Sequence, residues 1–214
     1  MTKQITTELV KELRDVTGVS VMQCRNALIE ADGDKEKALL ILKKKSSDIA
    51  LKKAERNAKD GSVVVAGDDK KKIILVLHCE TDFVAKNEDF VRLINSLADR
   101  ALLEGVEKMK IDAGEMINPV IQKTGEKIEL GQIEEISGGV IGSYVHNGKK
   151  AAIVSLNGGT TELARDIAMQ IVAIGDEETP LSDQLFIKDG SLTIGTLLAN
   201  NQAVLVKFVK GFVN

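Results

Sequence analysis

Four residues with reactive or metal-ligating side chains stand close together in this sequence: His78, Cys79, Glu80 and Asp82. A cysteine beside a histidine makes a nucleophile when the base faces the thiol. His78 and Cys79, however, end an apolar run typical of a strand, and adjacent strand residues point to opposite faces of a sheet. No third, orienting group is indicated. A cysteine-dependent enzyme stays an alternative, and it predicts that activity is sensitive to Cys79→Ser.

The sequence gives little support for a metal or nucleotide site in this chain. His78 and His146 are the only histidines, and no Cys/His spacing suits zinc. Neither a Gly-rich P-loop nor a GxGxxG motif is present. We therefore predict no cofactor, no metal and no covalent catalysis.

The elements around the cluster place it where a strand meets a helix. Residues 73–77 are apolar and rich in β-branched types, which predicts a buried strand. Downstream, Asn87 is a good N-cap, and apolar residues at helical spacing continue to Gly105, a natural C-cap. Residues 82–84 are thus expected in the turn, outside both elements. Their apolar pair, Phe83 and Val84, is either tucked against the fold or offered to a partner.

The composition excludes several classes of protein. The 214 residues carry a net charge of −3, whereas general nucleic-acid-binding domains are usually strongly basic. Aromatic residues make up only 3%, so few are present for stacking on bases. Cys24 and Cys79 form no disulfide framework, which fits a reducing compartment. No apolar run approaches membrane-spanning length, and residues 1–4 begin no signal core, so we expect a cytoplasmic protein.

The chain begins with a small helical module. Residues 5 to about 45 predict three short helices, the first ending at Gly18 and the second opened by a capping box of Ser20 and Gln23. Residues 43–59 are then rich in lysine and poor in apolar side chains, which favours a solvated helix or linker. We therefore place a module at residues 1–45 and a helical linker at 46–60.

The remaining chain predicts a strand–turn–strand–helix unit that occurs twice. The first hairpin joins residues 62–66 to 73–79, and the second joins 139–146 to 150–156 through Asn147-Gly148, a strong hairpin signal. We interpret this as a weak internal duplication, with α+β subdomains at 61–136 and 137–214.

Two further segments of this body have distinct patterns. Residues 106–126 are irregular, and one short helix is expected there, with Asn118 as cap, Pro119 at its first position and Gly125 beyond its end. The chain then predicts a strand from Ile128, and near its end a short helix from Thr193 followed by a last strand.

Two motifs in this sequence resemble those of the elongation factor Ts family, the nucleotide-exchange factors of the GTPase elongation factor Tu. The first is T-D-F-V-A-K-N at residues 81–87, which is similar to the family's signature loop. The second is L-V-K-E-L-R-x-x-T-G at residues 9–18. The resemblance implies an α+β fold, with an N-terminal three-helix module like a ubiquitin-associated domain and two duplicated α+β subdomains. The chain resembles a short form without the helical arm and C-terminal extension of longer members.

The resemblance also implies what the loop does. In the family it contacts elongation factor Tu, displaces Mg²⁺ and promotes GDP release until GTP binds. The matching residues here are Thr81, Asp82, Phe83 and Val84. The implied partner is elongation factor Tu, both GDP-bound and nucleotide-free, with no nucleic acid and no membrane involved.

Further contacts are implied outside the loop. Val21 and Met22 match the turn that touches the partner from the N-terminal module, and His146 matches a position in the second subdomain. Helical spacing alone equally allows Val21 and Met22 in the three-helix core. A second interpretation of the whole chain is an adaptor that binds partners through its N-terminal module.

Overall fold

The N-terminal part is helical in the computed structural model, which describes residues 5–174 and 178–213. Helix α1 spans Thr7–Thr17, α2 spans Val21–Glu30 and α3 spans Lys35–Lys53. The predicted capping box opens α2, since the Ser20 hydroxyl accepts from the Gln23 N–H and the Gln23 side chain accepts from the Ser20 N–H. The three predicted helices are confirmed.

The first sheet holds the strand that leads to the candidate loop. Strands β1 (Asp60–Gly67), β2 (Lys71–Cys79) and β3 (Ile128–Ser137) are antiparallel in the order β1-β2-β3. β2 lies in the middle and is apolar on both faces, so the predicted buried strand is confirmed.

Three helices connect β2 to β3. They are α4 (Asp82–Ala85), α5 (Glu88–Glu104) and α6 (Val106–Thr124). The prediction for α5 is confirmed at both ends, because the Asn87 side chain accepts from Asp89 N–H and Gly105 follows the last turn.

The prediction for residues 106–126 was wrong. In place of irregular chain and a short helix from Asn118, α6 is one continuous helix with Pro119 inside it. Five apolar residues hold its inner face: Met109, Ala113, Ile117, Val120 and Ile121. Pro119 lies on the exposed side, where water can reach the carbonyl that proline leaves without its helical partner. Only Gly125 was predicted correctly, as the residue that ends the helix.

α3 ties the N-terminal module to the body. Ser46 is buried, the Asn118 Nδ2 donates to Ser47 Oγ at 3.2 Å, and Lys43 pairs with Glu115 at 3.1 Å. The segment predicted as a helical linker thus begins within α3 and is helical to Lys53. The domain limits themselves remain a prediction.

The second sheet begins with the predicted hairpin. Strands β4 (Val140–His146) and β5 (Lys150–Asn157) are joined by residues 147–149, in which Asn147 and Gly148 have positive φ values of 51° and 65° and Lys149 N–H donates to the His146 carbonyl at 3.0 Å. Helix α7 (Thr161–Ile174) follows.

The C-terminal segment completes that sheet. A small ladder of β6 (Leu185–Phe186) and β7 (Asp189–Thr193) leads to α8 (Ile194–Asn200) and then to β8 (Val204–Phe212), which pairs with β5. The predicted helix and last strand are confirmed. Residues 175–177, where the resemblance implies that the helical arm of longer family members is missing, lie outside the described residues, as do residues 1–4 and 214.

The two sheets pack face to face between helices. Along β2, Ile73, Leu75 and Leu77 face α5 and α6, while Ile74 and Val76 face the other sheet. β5 alternates in the same way, with Ala152, Val154 and Leu156 toward α7 and its neighbours, and Ala151 and Ile153 between the sheets. The ends of β2 and β5 are therefore rigidly held.

None of the helices in the described residues combines the length and the apolar composition that a membrane-spanning helix needs.

Candidate functional site

The loop after β2 is more regular than the sequence indicated. Asp82, Phe83 and Val84 were expected outside both neighbouring elements, but they form the one-turn helix α4. The Thr81 hydroxyl caps it by accepting from Val84 N–H at 3.4 Å. A helix of four residues is too short to give a periodic pattern, so only the capping threonine signalled it.

The structure separates the two apolar residues of this turn. Val84 and Ala85 are buried in the core beneath α5, at 9% and 5% exposure. Phe83 is 81% exposed. Successive helical residues point about 100° apart, so packing one side of a single turn turns the preceding side chain outward. The turn is anchored by Val84 and presents Phe83.

Asp82 lies beside Phe83 at the surface. Its carboxylate pairs with Lys86 Nζ at 2.7 Å, and this hydrogen bond raises the pKa of the Lys86 ammonium. An exposed ion pair one helical turn apart is weak because water screens both charges, so a competing donor can displace it easily. The Asp82 carboxylate is thus accessible to a partner.

A carboxylate distant in sequence holds the start of the turn. Glu126 accepts from Glu80 N–H at 3.1 Å, from Thr81 N–H at 3.0 Å and from the Thr81 hydroxyl at 2.7 Å. The Glu80 carboxylate in turn accepts from Lys127 N–H at 2.6 Å, and this bond is the main reason that its pKa is lowered. Sequence reasoning named Glu80 only as a member of a reactive cluster and missed Glu126, since no local spacing links the loop to residue 126.

Cys79 and His78 are kept apart, as strand alternation requires. Cys79 is fully buried, and burial raises its pKa to about 12, so the thiolate is scarce at neutral pH. Its Sγ donates to the Thr81 carbonyl at 3.1 Å. His78 lies on the opposite face of β2, with its imidazole against Gly131. The pair lacks the geometry of a nucleophile and its base.

Val21 and Met22 lie on the surface at the first turn of α2. They are 53% and 65% exposed, while the core of the module takes Cys24, Ala27 and Leu28 instead. The alternative that both belong to the three-helix core is therefore not what the structure shows. The two form an apolar surface pair on the N-terminal module.

His146 is exposed at the end of β4. Its Nδ1 lies 3.2 Å from the Tyr144 hydroxyl, and the two rings border a cleft of about 300 Å³. The hairpin turn beside it docks on the first sheet, because Val63 N–H donates to the Gly148 carbonyl at 2.7 Å and Lys149 pairs with Asp60.

That docking brings two of the predicted contact regions to one end of the molecule. Asp60 lies opposite Cys79 in the β1–β2 ladder, directly before the loop. Burial acts to raise the pKa of Asp60, but hydrogen bonds from Lys149 and from Gly61 N–H, with a smaller contribution from the charge of Lys86, lower it. The hairpin turn that follows His146 thus docks on β1, the strand against which the Phe83 turn also packs. Among the described residues, the helix that carries Val21 and Met22 packs mainly on α1 and α3, whereas the Phe83 turn packs on β1, β2 and α5.

Known proteins resemble this chain over most of its length. The model of the family described as elongation factor TS matches residues 80–177, starting at the loop. An elongation factor Ts from Arthrospira platensis is 39% identical over 197 residues, covering 84% of this chain and 80% of that protein. One from Hahella chejuensis is 37% identical, covering 86% and 68%.

A third relative shows the difference in length. An elongation factor Ts from Acidithiobacillus ferrooxidans is 41% identical over 184 residues, which are 81% of this chain but 63% of that protein. The chain thus spans less than two thirds of this relative. Identity near 40% across four fifths of the chain, with a family match that includes the Phe83 turn, leads to one conclusion: the chain belongs to the elongation factor Ts family.

Proposed function

We propose that this protein is a guanine nucleotide exchange factor that binds elongation factor Tu·GDP, displaces Mg²⁺ and promotes GDP release until GTP binds. The observation that carries the proposal is the exposure of Phe83, 81%, on a turn whose next two residues are core. A large apolar side chain held in water by a rigid support is typical of a contact residue for a partner.

The physical mechanism follows from how a GTPase holds its nucleotide. Backbone N–H groups and a lysine cradle the phosphates, and Mg²⁺ demands near-ideal octahedral geometry. Phe83 enters between helices next to that site, and Asp82 competes for hydrogen bonds there once it leaves Lys86. A small shift of the metal ligands weakens GDP binding. By linkage, GDP weakens the binding of this protein by the same factor.

Two further surfaces support binding at several points. Val21 and Met22 offer an apolar pair on the N-terminal module, and His146 lies at the end of the body where Phe83 is. We infer that Thr81 and Val84 frame the loop while these surfaces hold the GTPase in register.

We also infer the finer architecture of the family for this chain. The N-terminal helices form a module like a ubiquitin-associated domain, and the body is two duplicated subdomains. The common order of the two sheets supports the duplication, because in each a hairpin is followed by helix and by a strand beside the second hairpin strand. The protein catalyses no covalent step, uses no cofactor and acts in the cytoplasm on a partner protein, without nucleic acid or membrane.

Stopped-flow release of a fluorescent GDP from elongation factor Tu tests the proposal. The protein should accelerate release, and Phe83→Ala should reduce that acceleration about 30- to 100-fold, the size expected when a central aromatic contact is lost. The matched control is Leu103→Ala on α5, because Leu103 is 86% exposed and outside the loop. The free energy of unfolding of both variants should lie within about 0.5 kcal/mol of the parent value, since neither side chain is buried.

The same experiment weighs the adaptor alternative, which the exposed Val21 and Met22 favour. The adaptor alternative would replace the exchange factor if the protein binds elongation factor Tu without accelerating GDP release. In that case Met22→Ser, on the N-terminal module, should abolish the binding, and Phe83→Ala should not. Acceleration that Phe83→Ala leaves intact would refute the role of the loop.

A further inference from the structure

We infer that Glu126 is a positioning residue that fixes the orientation of the Phe83 turn, an inference that rests on the proposed exchange function. Glu126 does not belong to the loop, and its carboxylate is hydrogen-bonded to residues 80 and 81, before Phe83 in the chain. It acts on the turn through the backbone of Glu80 and through Thr81.

The need for such a residue arises where the sheet ends. The β2–β3 ladder has its last pair at Cys79 and Ile128, so Glu80 and Thr81 lie beyond the sheet. Their N–H groups receive no strand partner, and an unmet backbone donor in a half-buried position is costly. Glu126 Oε2 accepts from both N–H groups, at 3.1 and 3.0 Å. One carboxylate oxygen thus accepts the hydrogen bonds that a neighbouring strand would accept if the ladder continued.

The second carboxylate oxygen links this contact to the helix that carries Phe83. Glu126 Oε1 accepts from the Thr81 hydroxyl at 2.7 Å, and the same hydroxyl accepts from Val84 N–H as the cap of α4. A donor–acceptor chain therefore runs from Glu126 through Thr81 to Val84. Each bond in such a chain polarises the next, and the bond to a charged acceptor is the stronger kind.

A reciprocal contact makes the tie rigid. While Glu126 accepts from residues 80 and 81, the Glu80 carboxylate accepts from Lys127 N–H at 2.6 Å and lies 3.4 Å from Arg56. The segments 80–81 and 126–127 thus each accept hydrogen bonds from backbone N–H groups of the other. Because Phe83 is exposed and has little packing of its own, its direction depends on this tie and on the burial of Val84.

The first test compares Glu126 with Asp68, a second carboxylate that accepts from two backbone N–H groups but at the opposite end of β2. Asp68 accepts from Lys70 N–H at 2.8 Å and Lys71 N–H at 3.1 Å in the β1–β2 turn, away from the loop. Glu126→Ala should lower the acceleration of GDP release about tenfold, because a misdirected contact residue loses productive geometry. Glu126→Gln, which keeps an acceptor for the two N–H groups, should recover part of it. Asp68→Ala should leave the rate unchanged.

A double-variant cycle distinguishes positioning from general damage. If Glu126 acts through Phe83, Glu126→Ala should have almost no further effect on the rate in a Phe83→Ala background. Additive losses would overturn the inference, as would a full rate in Glu126→Ala with Phe83→Ala impaired.

Amide hydrogen exchange on the whole 214-residue chain, without a partner, tests the tie independently of function. Glu126→Ala should accelerate exchange at residues 80–84 at least tenfold while leaving the centre of β2 protected. Unchanged protection at residues 80–84 overturns the inference. If Phe83→Ala has no effect on GDP release, the proposed function fails, whereas this measurement still decides whether Glu126 orders the turn.

Discussion

The two halves of the body connect a strand to the following helix in different ways. In each half a hairpin ends and a helix must begin on the outer face of the sheet. The second joint takes three residues, 158–160, between β5 and α7, whereas the first takes eight, 80–87, between β2 and α5. The sheets have the same order and both helices pack on their sheets.

The second joint contains only what the fold requires. Gly158 and Gly159 both have positive φ, and the Thr160 hydroxyl then accepts from Leu163 N–H at 3.1 Å to cap α7. The first joint also has its caps, Thr81 and Asn87, but it adds a helical turn that exposes a phenylalanine. Since the fold forms a joint without that turn, connecting the strand to the helix does not require an exposed phenylalanine, and the proposed exchange function gives Phe83 a role.

The largest effect on stability is expected at the second joint. Gly158 has a φ of +83°, and a Cβ there would lie 2.4 Å from the Gln202 carbonyl oxygen. Gly158→Ala combines a left-handed backbone with a clash, so we expect a loss of about 2–4 kcal/mol in the free energy of unfolding. Urea unfolding measures this loss. GDP release per folded molecule should stay at the parent rate, and a lower rate would show that the second joint is also functional.

The local features of both joints were predictable from sequence. Asn147-Gly148 fixes a hairpin because both residues adopt positive φ at low cost, and Asn87 and Gly105 bound α5 because caps depend on adjacent backbone. The unbroken runs of buried residues along β2 and β5 follow from sheets that are covered on both faces.

The errors have non-local causes. Pro119 normally opens a helix, but the apolar face of α6 buries enough surface to carry the helix through it. Glu126 contacts the loop only because β3 returns beside β2, and nothing within the loop indicates a partner that far along the chain. The resemblance to the family identified the residues of the loop, but not the carboxylate that holds them.

The two capping threonines give a matched pair of smaller effect. Thr81→Ala and Thr160→Ala each remove the side chain that caps a helix, so each should cost about 1 kcal/mol of stability. Only Thr81 also donates to Glu126, and therefore only Thr81→Ala should slow GDP release. Urea unfolding and stopped-flow release on the same samples check this. Equal effects of the two variants on the release rate would contradict the distinction between the joints.

The last effect is absent at neutral pH and concerns the buried thiol that ends β2, which the second joint lacks. The pKa of Cys79 is raised from 9.0 to about 12 by burial, so above pH 9 the unfolded chain releases its proton while the native protein retains it. The contribution of Cys79 to stability is thus complete below pH 9 and declines as the pH rises toward 12, with a slope below about 1.4 kcal/mol per pH unit. Urea unfolding between pH 8 and 10.5 should show a shallower decline for Cys79→Ala than for the parent. Cys24→Ala retains Cys79 and should keep that part of the slope, whereas a Cys79→Ala slope identical to that of the parent would mean that the thiol titrates normally in the folded protein.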